Sequence, residues 1–92
     1  MARAKSHYEL RVTRSAAVHI AQRLPDKIAA ACVEFMTGVL IENPRRVGKP
    51  LLPPLAPAYS ARRGSFRILY LIDDESRIVT VTAVAHRNDA YR

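Results

Sequence analysis

Hydrophobic and polar positions change period several times along this chain. From Tyr8 to Val12, apolar residues alternate with Glu9 and Arg11, the period-2 pattern of a strand with one buried face. Thr13 or Ser15 then offers a hydroxyl able to cap a helix. Ala17, Ile20, Ala21 and Leu24 recur at i, i+3, i+4 and i+7, one stripe of a short amphipathic helix. Pro25 ends that helix and opens a second, with Asp26 favourable in its first turn. There Ile28, Ala31, Cys32, Phe35 and Val39 make a longer stripe. Asn43-Pro44 closes it, since the residue before a proline avoids the α region. Two such helices with almost no loop between them predict a helical hairpin.

Residues 44–58 carry Pro44, Pro50, Pro53, Pro54 and Pro57, which predicts an extended connection suited to lining a groove. The period then returns to two. Tyr59 to Arg63 reads as a short strand broken at Gly64, Phe66 to Ile72 as an apolar strand, and Asp73-Asp74-Glu75-Ser76 as a polar turn. Ile78 to Ala85, rich in Val and Thr, suits the middle of a sheet. His86 to Arg92 has room for one or two helical turns. The order β-α-α-β-β-β predicts an α+β domain: a mainly antiparallel four-stranded sheet, an N-terminal helical hairpin on one face and a short C-terminal helical turn. The other face is left for function. Residues 1–6 read as a basic tail and 7–92 as a single domain.

Composition supports a folded domain, because Ile, Leu, Val and Phe make up 24 of 92 residues, above the roughly 20% below which disorder sets in. Cys32 is the one cysteine and cannot form an internal disulfide. No Cys/His spacing suggests zinc, and no apolar run approaches the roughly 18 residues of a membrane span. A cytoplasmic protein without metal or cofactor is the expectation.

Charge changes the picture most. The chain carries +7, and 12 of its 15 basic residues are Arg, whose planar fork grips carboxylate or phosphate bidentately. Such an excess fits a polyanionic partner: nucleic acid, an acidic protein or an anionic membrane. Between Asn43 and Ile72 stand Arg45, Arg46, Lys49, Arg62, Arg63 and Arg67, with no acid. Charge alone also fits a solvated basic face. Period 2 sharpens the anion-binding reading by placing Ser60 and Arg62 on one strand face, and Arg67, Leu69 and Leu71 on one face of the next. Arg67 precedes an apolar run, and an arginine on an interior strand is rarely there for solubility.

The ending His86-Arg87-Asn88-Asp89-Ala90-Tyr91 forms a second cluster. In a helical turn Arg87 and Tyr91 share a face. Tyr91 suits either an apolar plug or a functional role, and His86 either an ordinary strand end or a position over the sheet. Gly48-Lys49-Pro50 lacks the other elements of a phosphate-binding P-loop. Asp73-Asp74-Glu75 reads as a solvated hairpin tip rather than a metal site, and His19 as a solvent-facing helix residue.

The run from Glu42 to Leu51 (Glu-Asn-Pro-Arg-Arg-Val-Gly-Lys-Pro-Leu), the run Tyr59 to Tyr70 and the ending His86 to Arg92 together resemble the RelE-type toxins of bacterial type II toxin–antitoxin systems, especially their actinobacterial branch. The resemblance implies an endoribonuclease that enters the ribosomal A site and cuts messenger RNA there. It also implies a RelB-like antitoxin whose largely acidic segment wraps and silences the toxin, and contact with operator DNA only through that antitoxin. By position, Arg67 matches the family's strand arginine that holds the scissile phosphate. Arg62 matches a basic residue of the preceding strand, Arg87 falls near the C-terminal basic residue, and Tyr91 matches the C-terminal aromatic. Ser60 stands where some relatives carry a lysine, and His86 is a departure.

Chemistry adds roles. RNA brings its own nucleophile, the 2′-OH, so the protein must align it, neutralise the pentacoordinate phosphorus and move two protons. Arg62, Arg67 and Arg87 suit neutralisation, since guanidinium stays protonated. His86 is the natural proton carrier, with Tyr91 a second carrier or a stacking platform. Lys49, Arg63, Arg45 and Arg46 would bind RNA backbone. Two rival readings are a ParE-like inhibitor of DNA gyrase, which needs no phosphate clamp, and a non-enzymatic module that docks an antitoxin on operator DNA.

Overall fold

Thr13, rather than Ser15, turns the chain from strand into helix. In the computed structural model, which describes residues 7–86, strand β1 (Glu9–Val12) leads into helix α1 (Arg14–Gln22). Thr13 is extended, and its side-chain oxygen accepts from the Ala16 N–H at 3.3 Å, satisfying a donor the helix cannot. Helix α2 (Asp26–Phe35) follows Pro25, with Asp26 in its first turn.

The buried lines of both helices differ from the predicted stripes. In α1 the buried residues are Ala16 and Ile20, joined by Leu24 just after the helix, while Ala17 and Ala21 are exposed. The bulky Ile20 and Leu24 set the orientation, and alanine is too small to oppose them. In α2, Cys32, Phe35 and Met36 are buried, but Val39 is 38% exposed and Leu40 is fully buried. The cause is a π-helical stretch over Met36–Leu40. One residue more per turn moves the inward position from i+4 to i+5, from Val39 to Leu40. Thr37 marks the place, its hydroxyl donating to the Val33 carbonyl at 2.8 Å.

The sheet has five strands, not four. Strands β2 (Lys49–Pro50), β3 (Tyr59–Arg63), β4 (Phe66–Asp73) and β5 (Ile78–His86) join β1 in the order β1-β5-β4-β3-β2. The pairings are antiparallel except β1 with β5, which is parallel. The added strand β2 is two residues long within the proline-rich connection, and Pro50 is tolerated there because β2 is an edge. The α+β class and the mainly antiparallel sheet stand. Residues 1–6 and the predicted C-terminal turn of residues 87–92 lie outside the described residues.

One face of the sheet is covered by the helices. Phe66, Ile68 and Tyr70 of β4 point into it with Val79, Val81 and Val84 of β5, all buried. Val81 and Val84 are three apart, which simple alternation forbids. A register shift between Leu69 and Tyr70 resolves this: Tyr70 pairs with Val81 but Leu69 with Ala83, leaving Thr82 as an extra residue. This β-bulge reverses the facing of everything after it. Beneath the sheet's far edge, the buried Tyr70 hydroxyl donates to the Pro44 carbonyl at 2.6 Å. Loss of such a buried bond costs about 1–3 kcal/mol. Burial pushes the Tyr70 phenol up to about 12, so it stays a donor.

Among the described residues, no helix is long and apolar enough to cross a membrane.

Candidate functional site

Register decides which basic residues meet. On the face away from the helices, Arg62 of β3 pairs directly with Arg67 of β4, so their Cβ atoms lie about 4.5–5.5 Å apart. Like charges directly opposite are destabilising, and among the described residues neither arginine has an ion pair. Lys49 pairs with Ser60, two residues from Arg62 on the same face, which brings a third cation within diagonal reach. On the other flank, Arg67 pairs with Ala85, and Leu69 with Ala83. The result is a row of cations from three adjacent strands beside a floor of Ser60, Leu69 and the two alanines Ala83 and Ala85. The sequence singled out Lys49, Arg62 and Arg67. It did not reveal the alanine floor, because the bulge hides which residues of β5 share that face.

Tight turns hold this arrangement. Arg63 and Phe66 close a two-residue hairpin whose first turn residue, Gly64, has φ +54°, a conformation glycine adopts without steric cost.

Arg45 sits elsewhere. Its guanidinium donates to Asp74 at 2.8 Å, and Tyr8 donates to the same carboxylate at 2.5 Å. Asp74 opens the β4–β5 turn, seven residues and so about 24 Å along the chain from Arg67 at 3.4 Å per residue. The hydrogen bond from Arg45, and then that from Tyr8, hold the Asp74 carboxyl below the usual carboxylate range. The same bond with Asp74 raises the Tyr8 phenol. Arg77 lies over the Tyr8 ring, 4.1 Å from its centroid. Asp73 also caps the turn, accepting from the Ser76 N–H and hydroxyl at 3.1 and 3.0 Å. The predicted solvated tip is exposed throughout and also forms a polar clasp, whose ion pair with Asp74 holds Arg45 away from the cationic row.

Arg63 also leaves the row. Strand alternation turns it to the helix side, where its guanidinium lies 4.8 Å from the Phe35 ring centroid. It rims a groove of about 370 Å³ with Glu34, over Phe35, Val39 and Phe66. His86 pairs with Phe66 and so falls on this helix side, while its neighbour Ala85 is the residue facing Arg67. Without the bulge, His86 would share the open face. Arg46 lies exposed in the turn after Asn43, and His19 is half-buried rather than solvent-facing. Arg87 and Tyr91 lie outside the described residues. Cys32 is fully buried, and burial pushes its thiol up to about 11, which removes it as a nucleophile.

A fold with one helix-covered face and one cationic face has known counterparts. The family model described as the ParE toxin of type II toxin–antitoxin system, parDE, matches residues 10–91, and the chain belongs to the RelE/ParE superfamily of toxins from such systems. Within it, this chain is 49% identical to Toxin RelE and to Toxin RelG of Mycobacterium tuberculosis. Each match covers 92% of this chain, with 87% of the first relative and 97% of the second. The crystal structure of the toxin–antitoxin complex RelBE2 from the same organism contains a chain 48% identical, with a TM-score of 0.85 over 88% of this chain and 99% of that one. The archaeal RelE–RelB complex from Pyrococcus horikoshii shares the fold at 18% identity, with a TM-score of 0.69 over 88% of this chain and 96% of its own.

Proposed function

We propose that this toxin is a ribosome-dependent, metal-independent endoribonuclease that cuts messenger RNA in the A site and so stops translation. The observation that carries the reading is the direct pairing of Arg62 with Arg67 on the open face. Two arginines at directly opposed strand positions are unfavourable neighbours in the free fold, and a phosphate bound by both would offset that repulsion. In the reaction, the 2′-oxygen upstream of the cut attacks phosphorus and the 5′-oxygen leaves. The products are a cyclic 2′,3′-phosphate and a 5′-hydroxyl. Arg62 and Arg67 neutralise the charge that builds on the phosphoryl oxygens. Arg87 serves as a further phosphate ligand, and Tyr91 as proton carrier or stacking platform, as the resemblance implies. His86 faces the helices, so the proton steps do not run through it. Lys49 and Arg46 serve the RNA backbone. A RelB-like antitoxin with an acidic segment neutralises the toxin, links it to operator DNA and shields it in the cytoplasm until released.

Arg67→Ala should lower cleavage on ribosomes by 10² or more, the usual cost of losing a donor to a developing oxyanion, while leaving antitoxin binding intact. Wild-type cleavage in that variant would remove Arg67 from the site. His86→Ala should keep its rate within about threefold, where loss of a proton carrier costs roughly 10²–10⁴. A single 2′-deoxy substitution at the cut should block cleavage without blocking binding.

The matched ParE description favours a second reading, inhibition of DNA gyrase by binding alone. Induction separates the two: loss of translation before loss of supercoiling supports the nuclease, and the reverse order supports gyrase.

A further inference from the structure

We propose that Tyr70 and Gly48 are positioning residues that set Lys49 in the cationic row, an inference that rests on the RNA-binding reading above. Lys49 is reached through residues 44–48, a stretch with no helix or strand of its own. Two contacts fix its height against the sheet. At one end, the Tyr70 hydroxyl, fully buried, donates to the carbonyl of buried Pro44 at 2.6 Å. At the other, Gly48 passes so close to the sheet that a Cβ there would strike the Tyr70 hydroxyl and come 2.7 Å from the Ser60 carbonyl oxygen. Ser60 is the residue Lys49 pairs with. A single hydroxyl thus touches both ends of the segment that delivers Lys49 beside Arg62.

The chemistry of Tyr70 fits this role better than a packing role. Phenylalanine would fill the same buried volume but would lose the bond to the Pro44 carbonyl. Tyr70 faces the helix side and cannot touch RNA on the open face, so any effect it has on RNA must pass through the loop. Gly48 likewise has no side chain to offer a ligand; its contribution is the absence of a Cβ where two backbones meet.

The test is binding of a short labelled oligouridylate by the full chain across a salt series. Lys49→Ala should reduce the log–log salt slope by about 0.7, one phosphate contact on a single strand, and weaken binding about fivefold at 0.1 M salt. Tyr70→Phe and Gly48→Ala should each reproduce much of that loss in slope and affinity. Combined with Lys49→Ala, neither should add to it. General loosening of the fold would instead add to the Lys49→Ala loss and leave the slope alone. Tyr70→Phe and Gly48→Ala proteins that bind with the wild-type slope, or losses that add to Lys49→Ala, overturn the proposal. If Tyr70→Phe does not fold, Gly48→Ala decides the question, since its side of the contact lies in the loop. Arg67→Ala is measured in parallel. If it too binds with the wild-type slope and affinity, the RNA-binding reading itself has failed; if only the Tyr70 and Gly48 variants do, that reading stands without this device.

Discussion

The two ends of strand β4 treat arginine in opposite ways. At the β4–β5 turn, Arg45 has the carboxylate of Asp74 and Arg77 has the ring of Tyr8, so cations there are answered within the fold. At the β3–β4 turn, Arg67 has Arg62 as its neighbour and no acid among the described residues. The same side chain stabilises the structure at one end and strains it at the other. Net charge cannot tell these uses apart, and register can. Arg67 is the arginine that faces another arginine, and Arg45 the one that faces an acid.

The sharpest way to break this contrast is to give the strained end what the other end has. Arg67→Glu places a carboxylate opposite Arg62. Cleavage should fall by at least 10², as for any loss of an oxyanion donor, while the melting temperature holds or rises by a few degrees. A fall in both would mean that Arg67 supports the fold and that the two ends do not differ in kind.

The turns offer a smaller test. Both contain a left-handed residue, Gly64 at φ +54° and Arg77 at φ +59°, but only one is glycine. Gly64→Ala meets no atom within 4 Å, so its cost is conformational alone, about 1 kcal/mol. Its melting temperature should drop by about 4–8 °C. Arg77→Gly relieves the same strain but loses the contact with Tyr8, worth about 0.5–1 kcal/mol, and frees the unfolded chain. Thermal melts should place it close to wild type, and a large gain would mean that the Tyr8 contact contributes nothing.

The clasp offers a test that reads on pH. Asp74 has a lowered pKa because Arg45 and Tyr8 donate to its charged form. Its stabilisation is therefore complete above the ordinary carboxylate value of about 3.9 and disappears as pH falls through the lower folded value. Asp74→Asn should melt a few degrees below wild type near neutral pH, with the gap closing only in acid below about pH 4, and should bind RNA as wild type does. A gap independent of pH would assign the loss to turn geometry instead of the ion pair.

Sequence pattern alone located every long element and put Arg62 and Arg67 each on one face of its strand, because alternation over β3 and β4 is unbroken, but not their direct pairing. It failed wherever the period slipped by one residue. The π-helical stretch exchanged Val39 for Leu40 in the core, and the bulge at Thr82 sent His86 to the helix side. Neither leaves a compositional mark. Strand β2 escaped because two residues carry no period. The expectation that Arg45 and Arg63 bind RNA with Lys49 and Arg46 comes from counting charge along the chain, whereas the fold sorts neighbours such as Arg62 and Arg63 onto opposite faces.

The bulge at Thr82 has a meaning for how such chains vary in length. Alternation counted from Val81 with Thr82 left out puts Ala83 and Ala85 on the open face and Val84 inside, as the register has them. A chain one codon shorter at this point would keep every later residue on its present side, and the bulge would simply vanish. Thr82 thus acts as an expansion joint, absorbing an insertion locally so that the neighbours of Arg67 never shift. When related chains are aligned, a one-residue gap here is no sign of divergence at the site, and an alignment forced through without it would compare opposite faces of the sheet.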